Sequence, residues 1–180
     1  MKRIVTMIAP LLAMLLFGTT GRAQGATGTT NVAVTVAVEA SLTVTGTSTL
    51  TESVVGAFAG NFTGTTAMTY KVRTSKTGGS GTITAKVTTE FSPAGGPNVG
   101  TSGTTGDTLA YTCTVAASGT GCTGSQTASL ASGTPLATFG TDAKSSKAGD
   151  AASVAWTLIN DPAYSTGSYS ATVTFTIAAL

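Results

Sequence analysis

Histidine is absent from this 180-residue chain. That absence removes the imidazole base of a serine or cysteine triad and the commonest nitrogen ligand for a metal ion. Charge is scarce, with Asp, Glu, Lys and Arg making up 9% of residues, and no basic run offers a footprint for nucleic acid. Aromatic residues amount to 6%, with a single Trp. After the first two dozen residues no stretch has the i, i+3, i+4 spacing of an amphipathic helix. What is abundant is small and hydroxylated: 39 Thr, 17 Ser and 23 Gly. Even so, an apolar share of 41% is too high for simple disorder.

The first residues read as an export signal. Lys2 and Arg3 precede an apolar run from Ile4 to Phe17, interrupted by Thr6 and Pro10, and Gly21-Arg22-Ala23 supplies small residues at the −3 and −1 positions of a cleavage site. The run falls short of the ~20 residues that span a bilayer. Residues 1–23 are therefore expected to be a signal peptide, 24–31 a flexible linker, and 32–180 one folded domain. Cleavage would also change the charge. Lys71, Arg73, Lys76, Lys86, Lys144 and Lys147 would remain against seven carboxylates, so the formal +2 of the whole chain becomes about −1.

Both cysteines lie in the mature part. Cys113 and Cys122 are spaced for a short disulfide loop, as an exported protein allows, and not for the C-x-x-C of a redox motif.

Period-two alternation dominates the mature sequence. From Asn31, Val32, Val34, Val36, Val38, Ala40, Leu42 and Val44 share one parity, and mostly Ala, Thr and Ser share the other. The pattern recurs at Met68–Arg73, Ile83–Phe91, Leu109–Val115, Ser153–Leu158 and Tyr169–Ala178. Each segment has an apolar face and a mainly threonine face, as antiparallel strands with one wet side require. Lys76–Gly81 reads as a hairpin turn, Ser92–Asp107 as a long excursion rich in Gly, and Asp161-Pro162 as the turn before the last strand. The fold class is all-β: a single antiparallel two-sheet sandwich, Ig-like or pilin-like. Trp156, Tyr70, Tyr111, Phe91, Tyr169 and Phe175 fall on apolar parities and are expected in its core.

Candidates for chemistry are few. No two carboxylates have a spacing that marks a glycosidase pair, and Glu39 and Glu90 fall on polar strand faces. Asp142, Asp150, Asn160 and Asp161 could hold calcium only if their loops converge; the bland alternative is turn capping. Asn61-Phe62-Thr63 matches a glycosylation acceptor, a pattern expected by chance in so threonine-rich a chain. No catalytic residue, metal ligand or cofactor is assigned, and the protein is not expected to be an enzyme.

The amphipathic strand at the mature N-terminus and the regular strand at the C-terminal end are both competent to pair with a neighbour. Asn160-Asp-Pro-Ala-Tyr-Ser-Thr-Gly-Ser-Tyr-Ser-Ala-Thr-Val-Thr-Phe-Thr-Ile177 resembles the last turn and strand of bacterial pilin-like and spore-coat-U-like secreted sandwiches, which carry a similar Gly-x-Tyr-x-x-x-Val-x-x-x-Ile ending. The close spacing of Cys113 and Cys122 departs from the fimbrial pattern, in which a bridge typically links distant strands. The resemblance implies an exported surface subunit. The expected function is accordingly a non-enzymatic extracellular structural or adhesive subunit, assembling into a filament or coat by β-strand pairing through Val32, Val34, Val36 and Val38. The alternative is a monomeric secreted binding module for glycan or another surface polymer. Expected partners are further copies or neighbouring surface subunits, with no nucleic acid and, after cleavage, no membrane.

Overall fold

A computed structural model describes residues 27–56, 58–99 and 109–180. The expected signal peptide lies outside the described residues, as do positions 24–26 of the linker. Ten strands run in chain order: β1 (Glu39–Val44), β2 (Thr51–Glu52), β3 (Phe62–Arg73), β4 (Gly81–Ser92), β5 (Ala110–Val115), β6 (Thr120–Gly121), β7 (Gln126–Thr127), β8 (Thr134–Phe139), β9 (Asp150–Leu158) and β10 (Ser170–Ala179). No helix occurs among the described residues. One sheet has the order β1-β3-β9-β5-β7, with β2 also paired to β3, and the other has the order β10-β4-β8-β6. Every pairing is antiparallel, and the two layers pack as a β-sandwich.

The alternation explains the layers. On β3, Met68, Tyr70 and Val72 are buried while Thr69 and Lys71 between them are exposed. Ile83, Ala85 and Val87 of β4, Val154, Trp156 and Leu158 of β9, and Tyr111 of β5 with Leu109 just before that strand repeat the pattern. Threonine on the wet face suits an extended backbone because its branched Cβ crowds a helix and fits a pleat.

Ring contacts join the layers. Trp156 packs edge-on against Tyr111 beside it in the sheet, with centroids 5.3 Å apart, and reaches across to Phe175 of β10 at 6.4 Å. Tyr70 of β3 meets Phe139 of β8 at 5.1 Å. The polar atoms that come with these rings are satisfied. Trp156 Nε1 donates to Thr66 Oγ1 at 2.8 Å, and the Tyr111 hydroxyl donates to the Pro135 carbonyl at 3.1 Å. Thr66 is, with Thr74, one of two buried polar residues among the described residues, and it occupies an inward position of β3 as the acceptor for the indole.

Two sequence expectations change, and one further strand has no alternation to read. The segment from Asn31 does not form one long strand: the ladder with β3 begins at Glu39, opposite Arg73, and ends at Val44. Lys76–Gly81 joins β3 to β4, but not as a hairpin, because those strands lie in different sheets. Strand β3 already pairs with β1, β2 and β9, and β4 with β10 and β8, so neither has a free edge for the other. The connection arches between layers and is tied down where Thr74 Oγ1 donates to the Gly140 carbonyl at 2.7 Å. Finally, β8 carries no clean alternation, since Leu136 and Ala137 are both buried. A register shift at Ile83/Thr84, next to Pro135, accounts for it: the proline has no N–H for the ladder and the strand bulges there.

Trp156→Ala is expected to cost about 3–5 kcal/mol, since it empties the space between the sheets, and Thr66→Val about 1–2 kcal/mol, since it strands the indole N–H. Urea denaturation followed by circular dichroism measures both.

Candidate functional site

The chain divides between Val34 and Thr35. Of the first unit, residues 27–34 are described; they form no strand and are exposed. In the second unit, residues 35–38 lead into β1 without ladder pairing of their own. Val32, Val34, Val36 and Val38 are 91%, 83%, 62% and 41% exposed. Ala40 and Leu42, of the same parity, are half-buried and pack against the core. In sequence, the apolar parity that is half-buried at Ala40 and Leu42 is carried upstream by four exposed valines.

One ion pair marks where the segment joins the sheet. Arg73 Nη2 bonds Glu39 Oε2 at 3.0 Å, and Arg73 Nε donates to the Ala37 carbonyl at 2.6 Å. Both side chains are substantially exposed, so the pair sets direction more than stability.

The two sheets end in strands with open edges. Strand β10 pairs only with β4, and β1 only with β3, among the described residues. Along β10, Ala171, Val173, Phe175, Ile177 and Ala179 are half-buried, while Ser170, Thr172, Thr174, Thr176 and Ala178 are exposed. Its ten residues contain neither charge nor proline, the usual means of blocking edge-to-edge pairing. An open row of backbone N–H and C=O groups on so plain a strand can accept a further strand.

The disulfide joins β5 to the residue after β6. Cys113 and Cys122 are bonded with Cα atoms 5.5 Å apart, linking the sheet of β3 to the sheet of β4 at one end of the sandwich. Such a short loop contributes about 2–3 kcal/mol in the chain-entropy picture. A formed disulfide fits an oxidising, extracellular compartment.

The carboxylates are spread over both ends. Asp142 and Asp150 lie in and after the loop that precedes β9, whereas Asn160 and Asp161 follow the far end of that strand, so the four do not converge on one ion. Asp161 Oδ1 accepts from Ala163 N at 2.7 Å, a turn cap. Asn61 is exposed just before β3. Glu90 departs from the expected solvated role. Its Oε1 accepts from the backbone N–H groups of Phe91 and Val99, both at 2.8 Å, and so folds the first part of the excursion back against β4. The remainder of that excursion, residues 100–108, lies outside the described residues. Trp156, at 4% exposure, belongs to the core and offers no stacking platform for a sugar.

One polar network serves the fold. Ser118 Oγ donates to Asp150 Oδ2, Ser146 N donates to Asp150 Oδ1 at 3.0 Å, and the Tyr70 hydroxyl shares a 2.9 Å bond with Ser118 Oγ. The Ser118 hydroxyl, followed by the Ser146 groups, holds the Asp150 carboxyl below the ordinary aspartate value. Burial pushes the Tyr70 phenol up, with the Asp150 charge adding to it against the lowering effect of the Ser118 bond. Gly149 precedes the carboxylate with φ +98°, and a Cβ there would lie 2.5 Å from Thr69 Cγ2, so the tight entry into β9 requires glycine.

No protein family, curated protein or solved structure matches this chain.

The Asp150 network contributes stability above the unfolded-state pKa of that carboxyl, and the contribution is lost as pH falls through the depressed folded-state value. Asp150→Asn should therefore cost about 1 kcal/mol at neutral pH, allowing for solvent screening. The gap to wild type should close as pH is lowered past the ordinary aspartate range. Urea midpoints at neutral and acidic pH read the difference.

Proposed function

We propose that this protein is an exported, non-enzymatic structural or adhesive subunit that joins its neighbours at the cell surface by β-strand pairing. The observation that carries the reading is the continuation of a core-facing apolar parity, Ala40 and Leu42, into four exposed valines that no strand of the described chain covers. An exposed Val-x-Val-x-Val-x-Val segment leaves its apolar surface in water, a cost that pairing on another sheet would remove. The donor segment is 32–38, and the acceptor is the open edge of β10 in a second copy. At about 3.3 Å per residue, 32–38 spans roughly 23 Å and fits within the ten residues of that edge. Because donor and acceptor are different surfaces, repetition gives an open filament or coat and not a closed pair.

The apolar start of the sequence, with its positive flank and small-residue cleavage pattern, supports export, and so does the disulfide. The resemblance of residues 160–177 to pilin-like and spore-coat-U-like endings agrees with a surface subunit. The absence of histidine, and carboxylates engaged with backbone or neighbouring side chains at Glu90, Asp150 and Asp161, support a role without catalysis.

Deletion of 24–38 leaves Glu39 opposite Arg73 and should keep the sandwich folded. The mature protein is expected to sediment as higher oligomers and to show filaments by electron microscopy, and the deletion variant to sediment as a monomer. Val34→Asp/Val36→Asp should weaken assembly tenfold or more with unchanged circular dichroism. Folded monomers from both the mature protein and the deletion would defeat the reading.

A further inference from the structure

We infer that the cleft between the β1–β3 edge and the loop before β9 is a binding site for the oxyanion groups of an acidic polysaccharide. The cleft has a volume of about 370 Å³, within the range of ligand sites. Four cations line it, Lys71, Arg73, Lys144 and Lys147, with Glu39 as the one carboxylate. They are four of the six Lys and Arg residues that the described chain contains. Three of its carboxylates, Glu52, Glu90 and Asp161, belong to the opposite end of the sandwich, where β2, β4 and β9 meet their outer connections. The other three described carboxylates, Glu39, Asp142 and Asp150, share the end of the sandwich that holds the cleft, so the cations are gathered at one end while the acids are divided between the two.

The placement is built by the backbone. Thr74 N donates to the Ala143 carbonyl and Ser145 N to the Val72 carbonyl, both at 3.0 Å, while Val72 N donates to Ser145 Oγ at 2.9 Å. These bonds fasten the loop alongside the end of β3 and form a bridge that sets Arg73 directly opposite Lys144. Like charges facing each other across a ladder are unfavourable. Lys71, two residues before Arg73, falls on the same face. Arg73 is partly neutralised by Glu39 at 3.0 Å and Lys144 by Asp142 at 2.8 Å. Lys71 and Lys147 form no ion pair with a described residue. With Glu39 and Asp142 both counted against the four cations, the cleft holds a formal surplus of two positive charges, those of Lys71 and Lys147, in a concave surface where an anion is attracted by several donors at once. Carboxylate and phosphate oxygens share the chemistry these donors recognise.

The attraction for an anion is independent of strand pairing. The choice of a polysaccharide as its carrier rests on the surface-subunit reading. The test uses the full mature protein with polygalacturonate for carboxylates, phosphomannan for phosphates, and dextran as a neutral reference, by titration calorimetry at 50 and 300 mM salt. At least one acidic polymer should bind more tightly than dextran, and its affinity should fall at the higher salt. Lys71→Gln/Lys147→Gln should weaken that binding tenfold or more with circular dichroism unchanged, while Lys86→Gln, outside the cleft, should alter it less than twofold. The inference fails if neither acidic polymer outbinds dextran, or if Lys86→Gln weakens binding as much as the double variant. It also fails if the double variant lowers self-association and leaves polymer binding intact, for the cleft then meets a second copy. The 24–38 deletion separates the two ideas: polymer binding that persists in the monomeric deletion variant upholds the cleft apart from assembly, whereas a mature protein that binds polymer yet is itself monomeric upholds the cleft and removes the filament.

Discussion

The contact on which the rest of the structure depends is Trp156 between the sheets. A chain built largely from threonine, alanine, glycine and valine has few large side chains with which to exclude water, and those it has must meet. Trp156 touches Tyr111 in its own layer and Phe175 in the other, and its N–H is answered by Thr66. Tyr70 and Phe139 repeat the arrangement nearer the opposite end. Hydroxyl and indole groups that enter the core with the rings would be costly if unpaired, and Thr66 is the buried threonine that answers the indole.

The same economy of large residues makes the exposed valines conspicuous. Of the apolar parity that starts at Val32, the structure covers Ala40 and Leu42 and leaves Val32, Val34, Val36 and Val38 open. Strand β10, uncharged and free of proline, likewise leaves one backbone edge without a partner strand among the described residues. The charged groups are few, and four of the six Lys and Arg among the described residues share one cleft at the end where β1 begins. The open edge of β10 and the cation-lined cleft are thus different surfaces of one small sandwich.

Much of this could be read from residues in order. The parities of Ile83–Val87, Leu109–Val115 and Val154–Leu158 appear in the structure with the expected faces inward, because burial on one side of a pleat forces a period of two. The disulfide followed from spacing and compartment. Strand β8 was illegible because Pro135 and its bulge put Leu136 and Ala137 inside together, which erases the alternation. The first half of β3 was hidden by a different cause: Thr63, Thr65 and Thr66 carry no apolar contrast, and Thr66 is inside only because the Trp156 indole needs an acceptor. Glu90 was misread for a related reason. Its strand position indicates exposure, and only the folded excursion brings Val99 N to it.

By itself the sequence determined an all-extended fold, a pair of sheets each dry on one side, and the core residues of the alternating strands β3, β4, β5 and β9, since these follow from local periodicity and from the water-avoidance of individual side chains. Tyr169, expected inside, lies outside the core, and Leu136, Ala137 and Phe139 entered it unannounced. Which strands are neighbours, where a ladder stops and what gathers in space were decided by the tertiary structure alone. The arch at residues 74–80 sends β3 and β4 into separate layers, the ladder starts at Glu39 and not at Asn31, and Lys71, Arg73, Lys144 and Lys147 converge from segments some 70 residues apart. Such outcomes depend on hydrogen bonds between distant parts of the chain, and no local pattern of residues encodes a partner that far away.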